Sequence, residues 1–103
     1  MAMPRVLAVD EIDAALTALP DWKRQGGAIA ATYSFASFRD AIALILRVSF
    51  EAEELNHHPE IANVYNRASF KLSTHDAGGA ITERDIGLAA RISAAARPFL
   101  TAR

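Results

Sequence analysis

The stretch that decides the fold is SFRDAIALILRVSFEAEELNHHPEIANVYNRASFKLSTH, residues 37–75. It opens with Ser37 and Asp40, the capping-box spacing that begins a helix, since each side chain can bond a backbone N–H of the other residue. Apolar residues at helical spacing then carry the helix to about Leu55, and Pro59 disfavours helix in the residue before it. The first half of the stretch therefore predicts one long helix.

The second half of the stretch has the two-residue periodicity of a β-hairpin. Residues 61–65 and 68–75 are typical of strands, and Asn66-Arg67 is the predicted turn between them. In the second strand apolar and polar side chains alternate, so His75 falls on the polar face, opposite Phe70. The whole stretch predicts a helix followed by two antiparallel strands.

Apolar side chains cover most of the circumference of the long helix, and one sheet face cannot bury so wide a surface. The narrow polar stripe consists of Asp40, Arg47, Glu51 and Glu54. The apolar residues are Phe38, Ala41, Ile42, Leu44, Ile45, Leu46, Val48 and Phe50. We expect the second apolar side to pack against another subunit, the alternative being burial between the sheet and neighbouring helices.

A shorter helix and a second hairpin are predicted before this stretch. Asp10–Leu19 has apolar residues at helical spacing, and Pro20 ends the pattern. Trp22–Gln25 and Ala28–Phe35 are predicted strands, joined by Gly26-Gly27, which tolerates the positive φ angles of a tight hairpin turn.

A final helix is predicted after the stretch. Gly78-Gly79 is a predicted break, and Thr82 with Asp85 forms a second capping box that opens a helix to about Pro98. The predicted inner face of this helix is Ile86, Ala89, Ala90, Ser93 and Ala96. The resulting order, α-β-β-α-β-β-α, predicts an α+β fold in which a four-stranded antiparallel sheet carries three helices on one face.

The composition fits one domain over residues 1–103, with 51% hydrophobic and 22% charged residues. A net charge of −1 provides no basic excess to neutralise phosphates, so we expect neither nucleic acid nor a membrane as a partner. The absence of cysteine excludes disulfides and thiolate metal sites. We find no signal-like or membrane-spanning apolar run, and therefore expect a cytoplasmic protein.

All three histidines fall within 19 residues, where regular elements are predicted to end. His57 and His58 follow the long helix, and His75 ends a strand before a glycine pair. Scaffolds often display catalytic groups at such ends. Taken singly, a histidine is usually a surface or core residue. His57 and His58 could also serve only the end of the helix, where positive charge is favourable. Glu53, four residues before His57, could support it there as an i,i+4 partner.

Acid/base chemistry fits the pattern better than the alternatives. Consecutive side chains such as His57 and His58 diverge, and the four-residue spacing of helical zinc motifs is absent, so a metal site is disfavoured. Nucleophilic catalysis lacks a cysteine and a G-x-S-x-G elbow, and nucleotide binding lacks a glycine-rich strand-to-helix loop. Histidine titrates near neutral pH, which suits a reaction in which one proton enters and another leaves, such as elimination or isomerisation.

The order and spacing of these residues resemble the signature of the pterin-4a-carbinolamine dehydratase family. The matching residues are Glu53, His57, His58, Pro59, Tyr65, His75 and Asp85. The close match covers residues 52–90 and includes the flanking segments 63–66 and 82–86.

The resemblance implies a hydro-lyase that converts 4a-hydroxytetrahydropterin, a product of aromatic amino acid hydroxylases, to quinonoid dihydropterin. It implies that His57, His58 and His75 are the catalytic residues, with His57 and His75 as the acid/base candidates and His58 binding and orienting the pterin. The residues implied to bind the substrate or support the site are Glu53, Asp85, Thr74 and Pro59. The family fold agrees with the α+β prediction, and its members form dimers and tetramers. Neither a cofactor nor a metal is implied.

Two positions depart from the family pattern. Ile61 stands where many members carry tryptophan, which weakens an expected contact with the substrate, and Asn56 replaces an acidic residue before the histidine pair. Two other functions remain open: a non-catalytic dimerisation, assembly or transcription-cofactor module on the same fold, and a metal-binding protein.

Overall fold

The structure, a computed structural model, describes residues 4–101, in which three helices pack against one four-stranded sheet. The elements are α1 (Val9–Leu16), β1 (Lys23–Gln25), β2 (Ala28–Ser34), α2 (Phe38–Leu55), β3 (Glu60–Val64), β4 (Arg67–Leu72), a 3₁₀ turn (His75–Ala77) and α3 (Glu83–Thr101). All strand pairs are antiparallel, in the order β1-β2-β4-β3. The predicted α+β class and element order are confirmed. Residues 1–3 and 102–103 lie outside the described part, and one domain over residues 1–103 stays a prediction.

The core lies between the sheet and the helices. Two buried residue pairs face each other across β2 and β4. Ile29 pairs with Leu72, and Ala31 pairs with Phe70. From the helices, the core receives Leu44, Val48, Leu88 and Ile92, each 0% exposed. Burying a side chain of this size contributes about 1.5–3 kcal/mol, so this layer stabilises the packing of α2 and α3 on the sheet.

The long helix α2 begins and ends where the sequence predicts. The Ser37 hydroxyl oxygen accepts from the Asp40 backbone N–H at 3.1 Å, as an N-cap should. Its sheet-facing side is buried, but four large apolar side chains spaced four residues apart are not. They are Phe38 (56% exposed), Ile42 (40%), Leu46 (59%) and Phe50 (64%). We call these four residues the outer stripe.

The first helix is shorter than predicted. It ends at Leu16 instead of Leu19, because the N–H groups of Thr17, Ala18 and Leu19 bond carbonyls three residues back instead of four. The tightened turn still places Leu19 in the core, at 9% exposed.

The turn between β3 and β4 lies at Tyr65-Asn66, one residue before the predicted Asn66-Arg67. Tyr65 has a positive φ of 51°, which the local pattern did not indicate. The Asn63 side chain holds the turn by donating to the carbonyls of Tyr65 (3.1 Å) and Arg67 (2.8 Å). Arg67 therefore belongs to β4.

The second strand of this hairpin was also predicted too long. It ends at Leu72, and Thr74 forms only an isolated bridge with Ala80. The chain then turns back, because Gly78 and Gly79 have positive φ angles of 72° and 85°. His75 consequently lies in a one-turn 3₁₀ helix and not at the end of a strand.

Helix α3 continues through Pro98 to Thr101, whereas Pro98 was the predicted end. Its last turn is held by tertiary packing, since the rings of Phe35 and Phe99 meet edge to face at 6.2 Å. Of the predicted inner face, Ala89, Ser93 and Ala96 are buried and Ile86 is half-buried, but Ala90 is exposed. Leu88 and Ile92 were missed because the buried stripe is rotated by about one position.

Within residues 4–101, none of the helices has the length and apolar character needed to cross a membrane.

Candidate active site

His57 owes its position to the way α2 ends. Asn56 adopts the left-handed conformation (φ 50°, ψ 45°) and its N–H donates to the Glu53 carbonyl at 3.2 Å, while the His57 N–H donates to the Ala52 carbonyl at 3.0 Å. These bonds satisfy carbonyls at the helix end, and asparagine tolerates this conformation better than most residues. His57 is thereby turned inward and is only 7% exposed.

Asp85, in the first turn of α3, is the partner of this buried imidazole. The residue is 0% exposed, and its Oδ1 lies 2.6 Å from His57 Nε2. Its Oδ2 accepts from the Thr82 backbone N–H at 2.9 Å and from the Thr74 hydroxyl at 2.8 Å. An ionised carboxylate only accepts hydrogen bonds, so the proton in the first contact belongs on Nε2, which leaves Nδ1 as the basic nitrogen of His57.

Two hydroxyls support the carboxylate from behind. Because Thr74 donates to Asp85, its oxygen is left to accept from the Thr82 hydroxyl, 2.6 Å away. The Thr82 oxygen in turn accepts from the Arg84 backbone N–H at 3.2 Å. The predicted capping contact of Asp85 with Thr82 is therefore present, and the same carboxylate also holds His57.

His58 lies in a different environment, although it is the next residue. Its side chain is 61% exposed, and its Nε2 lies 3.6 Å from a carboxylate oxygen of Glu53, itself 73% exposed. Glu53 was considered as an i,i+4 partner of His57, and this is wrong. The left-handed turn at Asn56 takes His57 away from the helix face that carries Glu53.

His75 is exposed and lies after β4, in a different segment of the chain from His57 and His58, but it lines the same cavity as they do. It opens the 3₁₀ turn, whose first bonds run from the N–H groups of Ala77 and Gly79 to the Thr74 carbonyl, at 3.0 and 2.9 Å. The turn is thus anchored by the residue whose hydroxyl also binds Asp85.

A cavity of about 210 Å³ brings the three histidines together. It is lined by Asn56, His57, His58, Ser73, Thr74, His75, Asp76 and Arg84. Of the residues implied to support the site, Thr74 lines the cavity and Asp85 holds His57 from behind, while Glu53 and Pro59 are not among the lining residues. Ile61, at the family's aromatic position, is 42% exposed on β3 and is likewise not part of the lining.

Three lining residues were not predicted as part of the site: Ser73, Asp76 and Arg84. Asn56 also lines the cavity, but the sequence indicated it only as a departure from the family pattern. For two of these three the sequence held a signal, because Asp76 follows His75 and Arg84 precedes Asp85.

Larger openings elsewhere lack this chemistry. A groove of about 520 Å³ between α2 and α3 is lined by Arg47, Glu51, Arg91, Ala94, Ala95, Pro98 and Phe99. No histidine lines this groove, whereas three histidines line the smaller cavity, so we take the smaller one as the candidate active site. Among the described residues 4–101, no three histidine or carboxylate side chains are grouped so as to hold a metal ion.

Residues 5–95 match the family model described as pterin 4 alpha carbinolamine dehydratase. Several curated relatives carry the name "putative pterin-4-alpha-carbinolamine dehydratase", and two of them show the extent of the similarity. The one from Opitutus terrae is 48% identical over 89 residues, covering 86% of this chain and 92% of the relative. The one from Nitrobacter hamburgensis is 44% identical over 99 residues, covering 94% and 97%.

Solved structures are similar in fold. A transcriptional coactivator/pterin dehydratase from Brucella melitensis superposes with a TM-score of 0.84 at 35% identity, covering 89% of this chain and 99% of that one. A pterin dehydratase-like protein described as a RuBisCO assembly factor in the alpha-carboxysome has a TM-score of 0.63 at 24% identity, covering 74% and 89%, and it is similar in fold alone. With a family match over most of its length, this chain belongs to the pterin 4-alpha-carbinolamine dehydratase family.

Proposed function

We propose that the protein dehydrates 4a-hydroxytetrahydropterin to quinonoid dihydropterin and water. In this elimination the C4a–O bond breaks and the hydroxyl leaves as water after it receives a proton. The N5–H bond also breaks, and its electron pair forms the C4a=N5 double bond. The reaction therefore needs one proton donor and one proton acceptor near one flat heterocycle, which is work suited to imidazoles.

The observation that carries this proposal is the buried His57–Asp85 contact of 2.6 Å in a cavity shared with His58 and His75. Asp85 stabilises the imidazolium that forms when Nδ1 of His57 accepts a proton, because the two opposite charges then lie in contact away from water. His57 is thus suited to accept the N5 proton. His75 is exposed to solvent and lines the same cavity, so we assign it to protonate the departing hydroxyl.

His58 has a binding role in this proposal. Its ring is exposed at the mouth of the cavity, and its contact with Glu53 is long and open to water. Such a side chain can turn toward a ligand at little cost, because exposed ion pairs contribute only about 0–1 kcal/mol.

The cellular setting is part of the same proposal. The substrate is released by aromatic amino acid hydroxylases, so the protein would serve pterin recycling beside such an enzyme. A chain of 103 residues without cysteine fits the reducing cytoplasm, which is where we place this activity.

A direct test is a spectroscopic dehydration assay with freshly made 4a-hydroxytetrahydropterin. We expect His57→Ala and His75→Ala each to lower turnover at least about tenfold, because each removes one partner of the proton exchange. Circular dichroism and the melting temperature check that the fold is kept. Undiminished turnover in both variants would remove the two histidines from the mechanism.

The outer stripe of α2 supports self-association as a second part of the proposal. Phe38, Ile42, Leu46 and Phe50 remain 40–64% exposed along one helix face, and apolar side chains this large gain by leaving water. We expect a dimer or tetramer at micromolar concentration in light scattering, and Leu46→Glu should lower the mass. A monodisperse monomer of the wild type would contradict it.

The outer stripe also supports a second candidate function, the non-catalytic binding of a partner protein. Of the two similar structures, one is described as a RuBisCO assembly factor and the other as a transcriptional coactivator/pterin dehydratase. Pull-down with the Leu46→Glu variant, run beside the dehydration assay, separates the two functions. Loss of a bound partner with unchanged turnover would establish binding as a separate role.

A further inference from the structure

Asp76 and Arg84 form an ion pair in the wall of the active-site cavity that proton exchange does not use. Arg84 Nη1 lies 3.4 Å from Asp76 Oδ2, and both side chains line the cavity with the three histidines. Each is the direct neighbour of a site residue, since Asp76 follows His75 in the 3₁₀ turn and Arg84 precedes Asp85 in α3. A ligand that contacts this pair therefore lies against the proposed acid/base groups.

The pair retains hydrogen-bonding capacity for a ligand. The contact of 3.4 Å is long for a charge-assisted bond and uses one of the five N–H donors of the guanidinium. The side chains of Arg84 and Asp76 are 37% and 62% exposed. The backbone of Arg84 is fixed meanwhile by its N–H bond to the Thr82 hydroxyl, so the guanidinium extends from a rigid helix start.

The pyrimidine ring of a pterin has the complementary edge. Its 2-amino group and N3–H are two parallel donors, which a carboxylate accepts side by side, and its C4 carbonyl is an acceptor for a guanidinium. The order donor, donor, acceptor along that edge matches a carboxylate beside a guanidinium. None of the histidines offers this combination of charges.

We propose that Asp76 and Arg84 are the residues that recognise the 2-amino-4-oxo edge of the pterin. Asp76 accepts from the 2-amino group and N3–H, and Arg84 donates to the C4 carbonyl oxygen. This assignment rests on the proposed function for the class of substrate. It adds the residues that select that substrate, which makes them specificity determinants and not acid/base groups.

The competing role for the pair is structural, as a tie between the 3₁₀ turn and α3. An exposed contact of this length contributes about 0–1 kcal/mol, so its loss would lower stability slightly and would not distinguish one ligand from another. Ligand discrimination is the measurement that separates the two roles.

The test measures binding of two stable ligands to the full chain, 7,8-dihydropterin and 7,8-dihydrolumazine, in which a carbonyl replaces the 2-amino group. We expect the wild type to prefer dihydropterin by about tenfold or more, because the lumazine oxygen would face the Asp76 carboxylate. Asp76→Asn should reduce this preference to within about threefold, since an amide can donate to that oxygen.

Arg84→Gln should behave differently from Asp76→Asn. It should weaken both ligands by about tenfold and keep the preference, because both ligands carry the C4 carbonyl. In the dehydration assay both variants should raise KM and keep kcat within about threefold. The matched control is Arg91→Gln, an arginine of the same helix that pairs with Glu51 and Glu54 outside the cavity and should change neither ligand.

The outcomes distinguish this inference from the proposed function. If Asp76→Asn keeps the wild-type preference, or the wild type binds both ligands equally, the inference fails even where dehydration is observed. If the preference behaves as expected but turnover is absent, recognition stands and the proposed function fails. Binding of neither ligand overturns both. Should Arg84→Gln not fold, Asp76→Asn in the exposed turn still decides the matter.

Discussion

His57 and His58 are consecutive in sequence and opposite in environment. The side chain of His57 is 8% exposed and lies 2.6 Å from a fully buried carboxylate, while that of His58 is 61% exposed and lies 3.6 Å from an exposed one. One left-handed residue, Asn56, separates the two environments by ending α2. Residue type therefore did not decide what each imidazole can do; the backbone turn before it did.

The largest expected effect on turnover comes from removing the charge of the carboxylate that pairs with each histidine, Asp85 for His57 and Glu53 for His58. In Asp85→Asn the oxygen stays on the Thr82 and Thr74 donors, so the new NH₂ group faces His57 Nε2 and forces the opposite tautomer. We expect turnover to fall by ~100-fold or more with a modest loss of stability. The dehydration assay gives turnover, and ¹⁵N chemical shifts of the imidazole give the tautomer.

The matched control for that change is Glu53→Gln in the exposed pair. Its effect on the free energy of unfolding should stay below about 0.5 kcal/mol, and its loss of turnover should be far smaller than that of Asp85→Asn. Equal losses in the two variants would mean that burial does not distinguish the pairs.

The two tyrosines show the same contrast between a buried and an exposed side chain. For the buried one, the free energy of unfolding should fall by about 2 kcal/mol at alkaline pH. Burial raises the pKa of Tyr33 to about 12, and the contact of its hydroxyl with Asp21 adds to this. The neutral phenol is thus favoured in the folded state. Its stabilisation is complete below pH 10 and is lost as the pH rises toward 12, because the unfolded chain ionises first.

Urea unfolding at pH 8 to 12 measures this loss. Tyr33→Phe should flatten the alkaline decline after its own cost at neutral pH is subtracted, and Tyr65→Phe, at an 81% exposed position, should leave it in place. A wild-type free energy of unfolding that is constant from pH 9 to 12 would contradict the role of burial.

The smallest of these effects tests the turn itself. Asn56→Ala should lower the free energy of unfolding by about 1 kcal/mol, since alanine tolerates the left-handed conformation poorly. In Asn56→Gly, glycine adopts this conformation freely, so the free energy of unfolding should stay within a few tenths of a kcal/mol of the wild-type value. If both variants unfold alike, the separation of His57 from His58 does not depend on this residue.

Local patterns predicted the parts of the molecule that local chemistry decides. Helix α2 and the alternation of Ala68, Phe70 and Leu72 followed from periodicity, since each has one face in the core. The clustering of the histidines followed from their place at the ends of elements and from the family spacing.

The misses have a common cause in long-range contacts. Tyr65 takes a positive φ because the Asn63 side chain and the register of β4 hold it there, and no short pattern indicates that. Helix α3 passes Pro98 because Phe99 packs on Phe35, which lies far away in the sequence. The Asp76–Arg84 pair likewise needs the 3₁₀ turn and α3 to meet, a contact visible only in three dimensions.

Asp85 also links the candidate active site to the folding of the core. The carboxylate sits at the start of α3, whose Leu88 and Ile92 are 0% exposed in the core, while its donors include Thr74 beyond β4 and His57 beyond α2. A molecule whose last helix had not docked would leave the imidazole without its anion, and a docked helix cannot avoid supplying it. The proton exchange proposed above therefore requires that the core has closed around α3, and a partly folded chain would lack the His57–Asp85 contact.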